Sequence, residues 1–489
     1  MAEKIKHTCV LCRKEFGEDD LINFTLSPDG NNEVTSYICF DCYAMMHSEI
    51  LTHEEIEAKN GNEKAMDHVA KLCGERFDDA GTPAEQLEKT ARLQEYAEKV
   101  KRMLFENRPD ALKKYLDKYV VGQEKAKEIM SLAIYNHYKR CLYDMEIKTG
   151  KLSVDNDDSK PDELQKSNII VSGPSGTGKT MILRTLAKKL DIPFVVVDAS
   201  SLTETGYVGT DVTQCISSLL NVANGDKIKA EYGIVFFDEF DKISTKNTKL
   251  GSMPSIGNEG LQSELLKLIE GTTVDPNRDS RGIRVVTAAN SGTIDTSNIL
   301  FICGGAFDGL EEIVEQRAFG SSIGFSVKDD TKEGDIKELM KLDECEKYNT
   351  VMSKVTSDDF IQYGIMPELL GRLSTICTLN QLSKYELYDI LTKPKNAILK
   401  QYRTQYKVID NIKIDVDDKA LRAIAIKAMK NKTGARGLKT VFEQHLSDVL
   451  YSSVVKSSEI DKAKQKIVIS VNAENIIKNI PPRVNIVDI

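Results

Sequence analysis

The sequence predicts a three-layer α/β domain built on a mostly parallel sheet, followed by a small, mainly helical α/β lid and preceded by a small four-cysteine module. Three observations predict this. Short β-branched apolar runs alternate with amphipathic helical segments through the middle of the chain, one of those runs opens into a glycine-rich phosphate loop, and two Cys-x-x-Cys pairs stand near the start. The 489 residues exceed what a single core supports, so about three domains are expected. With 41% hydrophobic and 29% charged residues, the composition is that of a mixed α/β globular chain rather than a disordered one.

Residues 1–50 carry Cys9 and Cys12, then Cys39 and Cys42, with 26 residues between the pairs. Each pair can form a knuckle, and the four thiolates can close one tetrahedral Zn²⁺ site. Four protein ligands leave no position open for catalysis. The site is therefore expected to be structural, stapling a segment too short to build a strong core. His7 and His47 lie close by and are read as solvated bystanders. The other cysteines, Cys73, Cys141, Cys215, Cys303, Cys345 and Cys377, are scattered singly, which is thiol and metal usage in a reducing compartment.

Residues 51–101 turn Glu/Lys/Ala-rich and are read as exposed helix and linker. The net charge is −9, and the first fifty residues hold nine acids against four Lys and Arg. That balance repels a phosphate backbone and argues against nucleic acid as a partner. No stretch reaches the roughly 18 apolar residues of a membrane span, and the first residues lead into polar sequence rather than an apolar signal core. A cytoplasmic location away from membranes is expected.

Residues 102–380 are expected to form the large domain. Buried strands are read at 168–172, 194–198, 233–238 and 298–303, each too short and too uniformly apolar for a surface helix. The first leads directly into Gly173, Pro174, Ser175, Gly176, Thr177, Gly178, Lys179 and Thr180, and from Met181 a helical pattern begins. Strand, loop and helix in that order are the context of a phosphate-binding loop. Its glycines let backbone N–H groups wrap the phosphates at a helix N-terminus, Lys179 neutralises the β and γ oxygens, and the Thr180 hydroxyl can sit on Mg²⁺. About sixty residues later, the run from Ile234 delivers Asp238 and Glu239 to the same edge of the sheet. Asp238 is expected to hold Mg²⁺ through water and Glu239 to polarise the attacking water. Together the two motifs predict NTP hydrolysis. Residues 381–489 return to helical patterns, with one alternating run at 466–471 read as a strand of the lid.

Over nearly its whole length the chain resembles the ClpX family, hexameric AAA+ unfoldases that feed the ClpP peptidase and carry a front zinc module. Beyond the phosphate loop, residues 119–123 resemble the segment over the adenine, and 135–140 the helix after it. The resemblance implies ATP as the nucleotide, with Val121 and Met181 among its contacts. Gly206, Tyr207, Val208 and Gly209 resemble the axial pore loop, in which a flat aromatic and its apolar neighbour push on the polypeptide. Residues 264–271 and 299–307 match the family core almost letter for letter. Ile323, Gly324 and Phe325 resemble the loop tip that plugs hydrophobic clefts on the peptidase ring, a credible apolar anchor. Residues 363–373 match the segment of the arginine finger, implying that Arg372 reaches the γ-phosphate of the next subunit. Residues 433–437 match sensor 2, implying that Arg436 reaches the nucleotide from the small domain. The resemblance thus implies a homo-hexamer that unfolds tagged or adaptor-bound proteins and passes them to a ClpP-type peptidase; the alternative is the same motor as a stand-alone remodelling chaperone. The second pore loop departs from the family's basic cluster, since residues 276–284 spread their charges and include Asp279.

Overall fold

A computed structural model describes residues 83–151, 164–202, 212–245, 256–276, 293–320, 343–431, 433–462 and 464–488, together with the backbone of four short strands before them. The chain divides into a first unit, Met1–Ala91, and a second, Arg92–Ile489. In the first, β1 (Lys6–Thr8) runs antiparallel to β2 (Glu15–Gly17). Likewise β3 (Leu21–Leu26) runs antiparallel to β4 (Val34–Cys39), with Leu21 opposite Cys39.

The second unit continues with β5 (Ile169–Ser172), β6 (Phe194–Asp198), β7 (Ile234–Asp238), β8 (Thr273–Val274), β9 (Ile294–Asp295), β10 (Leu300–Gly305) and β11 (Thr375–Thr378). Five of these make one sheet in the order β11-β5-β10-β7-β6, every neighbouring pair parallel. The four strands read from the sequence are there, and β11 joins them at the edge beside β5. The short pair β8 and β9 stands apart as an antiparallel ladder.

Strands buried on both faces need a core on each side, and the alternation of the apolar runs supplies two. Ile170, Val235, Phe237, Phe301 and Cys303 face one cluster, covered by the helices Gln214–Val222, Ile256–Glu270 and Leu310–Phe319. Ile169, Val171, Phe236, Leu300 and Ile302 face the other, covered by the helices Pro83–Glu106, Glu124–Lys148 and Lys179–Leu190. Helix, sheet and helix are the three expected layers. One difference is informative: Tyr96, Ala97 and Val100, counted with the linker on composition, pack into the second cluster, with the Tyr96 ring 5.7 Å from that of Tyr232. The packed domain therefore takes in residues that precede 102.

Beyond β11 a third core forms among the helices Lys384–Thr392, Ile398–Asp410, Asp418–Lys430 and Gly434–Ser457. They pack on a three-stranded sheet of β12 (Ile412–Val416), β13 (Gln465–Val471) and β14 (Arg483–Asp488), in which β13 is the strand expected from the alternating run. β13 pairs in parallel with β12 and antiparallel with β14. Among the described residues no helix is long and apolar enough to cross a membrane.

Candidate active site

The C-terminal ends of the parallel strands converge on one edge of the sheet, where open α/β sheets bind ligands. β5 is buried throughout and stops at Ser172; the helix Lys179–Leu190 starts seven residues later. The turn between them needs left-handed backbone at Gly176 (φ 77°) and Gly178 (φ 104°), which glycine adopts without steric cost. Lys179 is buried, its Nζ donating to the carbonyls of Gly173 at 2.6 Å and Pro174 at 3.2 Å. Burial lowers its pKa; the carboxylates of Asp238 and Asp241 act against that shift and the Arg436 guanidinium with it. The Thr177 hydroxyl donates to the Pro174 carbonyl at 2.8 Å and braces the loop from inside.

β7 delivers the second half of the site. Thr180 Oγ1 donates to Asp238 Oδ2 at 3.1 Å, so the two motifs, 58 residues apart, share a hydrogen bond. Glu239 takes left-handed backbone (φ 56°), donates its N–H to Asp238 Oδ1 at 3.1 Å, and exposes its side chain beside the half-buried Asp238. A hydroxyl, a paired carboxylate and a buried ammonium at a helix N-terminus make a donor set that suits a Mg²⁺-bound polyphosphate.

Asp241 completes the set and was not read from the sequence. It is buried, accepts the Ala306 N–H at 3.2 Å and pairs with Lys242 at 3.3 Å. Gly305 makes room for it, since a Cβ there would lie 2.4 Å from Asp241 Oδ1. The signal was present as a third acid three positions after Asp238 and as two glycines closing β10.

The opposite wall comes from the third core. The N-terminus of the helix Gly434–Ser457 sits directly on the phosphate loop: the Ala435 N–H donates to the Gly176 carbonyl at 3.0 Å. A Cβ on Gly434 would lie 2.6 Å from the Ser175 carbonyl oxygen, and one on Gly176 would lie 2.5 Å from that of Thr433. Two glycines thus permit a backbone-to-backbone approach. Arg436, in the first turn, lines the same cleft, whose volume is ≈ 730 Å³. Val121 and Met181 also line it, as do Ser175 and Thr177. Leu382, Ile390 and Ile398 add apolar lining. Polar, cationic and apolar lining in one cleft suits the phosphates and the base of a nucleotide.

Arg372 lies elsewhere. It caps the helix Pro367–Gly371 and is 58% exposed in its side chain, pairing with Glu270 through Nε at 2.9 Å and Nη2 at 2.8 Å. It is not among the residues lining this chain's cleft. Cys9, Cys12, Cys42, Tyr207, Val208, Ile323, Gly324, Phe325 and most of the second pore loop lie outside the described residues; of Cys39 only the backbone is described, at the end of β4. Among the described residues no group of three or more His, Cys, Asp or Glu could hold a metal ion. Cys141, Cys215, Cys303 and Cys377 are buried, and burial pushes the thiols of Cys141 and Cys377 up to about 12.

The model of the AAA domain (Cdc48 subfamily) matches residues 164–376, and that of the C-terminal, D2-small domain of ClpB protein matches residues 382–469. The "ATP-dependent Clp protease ATP-binding subunit ClpX" of Treponema denticola is 42% identical over 345 residues, covering 71% of this chain and 77% of that protein. The proteins of the same name from Borrelia duttonii and Borrelia recurrentis are each 40% identical over 371 residues, covering 76% of this chain and 80% of theirs.

Proposed function

Because this chain belongs to the ClpX family of ATP-dependent Clp protease ATP-binding subunits, and is an AAA-type ATPase rather than a peptidase, we propose that it unfolds proteins through an axial pore and delivers them to a ClpP-type peptidase. The observation that carries this reading is the cleft, where phosphate loop, paired carboxylate and Arg436 meet from two cores.

In this reading Lys179 and the loop N–H groups hold the β and γ oxygens of ATP, and Thr180 with Asp238 holds Mg²⁺, which would neutralise charge on those oxygens. Glu239, exposed into the cleft next to Asp238, polarises the attacking water. Arg372 serves the cleft of a neighbouring subunit. Its exposed position and weak surface pairing support that, because an exposed ion pair is worth about 0–1 kcal/mol and is readily exchanged for a phosphate. A homo-hexamer follows, with Tyr207 and Val208 gripping tagged or adaptor-delivered substrate and Ile323, Gly324 and Phe325 docking the peptidase. Cys9, Cys12, Cys39 and Cys42 would form the structural Zn²⁺ site of a front module over residues 1–50. The large domain would close at residue 380 and the small domain run from 381 to 489, the whole acting in the cytoplasm.

The test is degradation of a folded, tagged fluorescent protein with ATP and a ClpP-type peptidase. Fluorescence should fall with the intact chain, and not with Glu239→Gln or Phe325→Ala. Loss of fluorescence without peptidase, unaffected by Phe325→Ala, would instead identify a stand-alone remodelling chaperone.

A further inference from the structure

Between the central sheet and the third core the chain crosses a very short junction. The last ladder-like bond is donated by the Leu379 N–H to the Ser172 carbonyl at 2.8 Å, and by Ser383 the chain is already capping the next helix, its N–H donating to Glu386 Oε2 at 2.8 Å. Asn380, Gln381 and Leu382 lie between, and the N–H and C=O groups of Asn380 and Gln381 make no backbone–backbone hydrogen bond among the described residues. Two side-chain carboxamides hold them instead. Gln123, itself buried, donates Nε2 to the Asn380 carbonyl at 2.8 Å and accepts the Asn380 N–H on Oε1 at 2.8 Å. Asn349 accepts the Gln381 N–H on Oδ1 at 2.7 Å and donates Nδ2 to the Gln381 carbonyl at 3.3 Å, and the Cys345 thiol adds a bond to that same carbonyl at 3.2 Å.

Each carboxamide thus satisfies both the N–H and the C=O of one residue, groups that belong to the two peptides flanking its Cα, and so restrains that residue's φ and ψ. The two clamps come from different places. Gln123 ends the segment whose Tyr119, Val120 and Val121 line the cleft, while Asn349 projects from the helix Glu344–Met352, which contributes no lining residue. Immediately downstream, Leu382 lines the cleft and Arg436 belongs to the core that the junction carries. The backbone angles at Asn380 and Gln381 therefore bear on how the Arg436 wall meets the phosphate loop, together with the direct bond from the Ala435 N–H to the Gly176 carbonyl.

We propose that Gln123 and Asn349 are positioning residues for the ATPase: a paired carboxamide clamp on the Asn380 and Gln381 peptides holds the third core at the angle that closes the cleft on ATP. The proposal rests on the cleft being the ATP site. A loosened junction spends part of its time open, and the apparent affinity falls by the fraction lost, so KM for ATP moves while the chemistry of the closed state does not.

Asn349→Ala and Asn349→Asp, the second keeping the acceptor and dropping the donor, are measured in the full chain for ATP hydrolysis, and for amide hydrogen exchange at residues 380–383. Both variants should raise KM for ATP about threefold to tenfold with kcat within about twofold, while only Asn349→Ala, which removes the acceptor of the Gln381 N–H, should exchange faster at Gln381. An unchanged KM despite faster exchange overturns the clamp, as does a fall in kcat at unchanged KM, which is what fewer folded molecules would give. Lys179→Ala, measured for ATP binding and hydrolysis, distinguishes failure of the clamp from failure of the cleft as the ATP site. Loss of ATP binding there with unchanged KM in both Asn349 variants removes the clamp alone; ATP binding that survives Lys179→Ala overturns the assignment of the cleft and the clamp with it.

Discussion

Lys166 shows how a single residue can carry a pH dependence. It lies just before β5, donates to the Thr296 carbonyl at 3.2 Å and places its ammonium 4.8 Å over the Phe301 ring. Burial lowers its pKa to about 7, and the nearby Arg140 adds to this while Cys141 and Asp295 oppose it. An unfolded lysine keeps its proton to about pH 10.4. Between the two values the unfolded state binds more protons than the folded one, so this group makes stability rise with pH. The slope is on the order of 1 kcal/mol per pH unit and starts near pH 7. Lys166→Met should remove that slope, read as the difference in urea midpoints between about pH 7 and about pH 9. Parallel pH profiles for the two proteins would show that the lysine is not buried as described.

At the scale of elements, the helix Leu310–Phe319 stands directly before the segment expected to dock a peptidase, and its ion pair with a fully buried acid anchors it. Arg317 Nε and Nη2 reach the two oxygens of Asp359 at 2.6 and 2.7 Å, and Asp359 is fully buried while also accepting the N–H and hydroxyl of Thr356. The Asp359 pKa is lowered by the Arg317 and Thr356 hydrogen bonds, which together outweigh the opposing effect of burial, the largest single contribution. Arg317→Ala leaves a buried carboxylate short of its partner and should cost about 3 kcal/mol in denaturant unfolding. Replacing both residues with apolar ones should cost less. The same scale shows what could be read in advance. β5, β7 and β10 are uninterrupted apolar runs because both faces are covered, which makes them legible without partners. β11 is four residues, Thr375, Ile376, Cys377 and Thr378, with no alternation and too short to stand out from a turn. β12 alternates apolar and charged residues between two helices and is visible only once β13 pairs with it. That Lys179, Thr180, Asp238 and Glu239 would share one cleft was legible because the two motifs keep fixed spacings along the chain. Asp241, Gln123 and Asn349 were not, because their partners are backbone groups brought close only by folding.

For the whole molecule, the separation of Arg372 from its own cleft makes a prediction that no single subunit can satisfy. Chains carrying Arg372→Ala and chains carrying Glu239→Gln should each be nearly inactive alone. Mixed, they should recover part of the ATPase rate, because a subunit with an intact Glu239 can then meet a neighbour with an intact Arg372. Recovery is measured as phosphate release against the mixing ratio, and none would appear if Arg372 served its own chain. The docking of Gly434 on Gly176 has a mechanical side as well. The helix Gly434–Ser457 runs 24 residues away from the phosphate loop, which is about 36 Å of rigid rod. Its near end is pinned, backbone to backbone, on the loop proposed to grip the phosphates. A tilt of about 10° at that pivot moves the far end by about 6 Å, so the rod acts as a lever arm that turns a sub-ångström adjustment around a phosphate into a displacement longer than one residue of extended polypeptide.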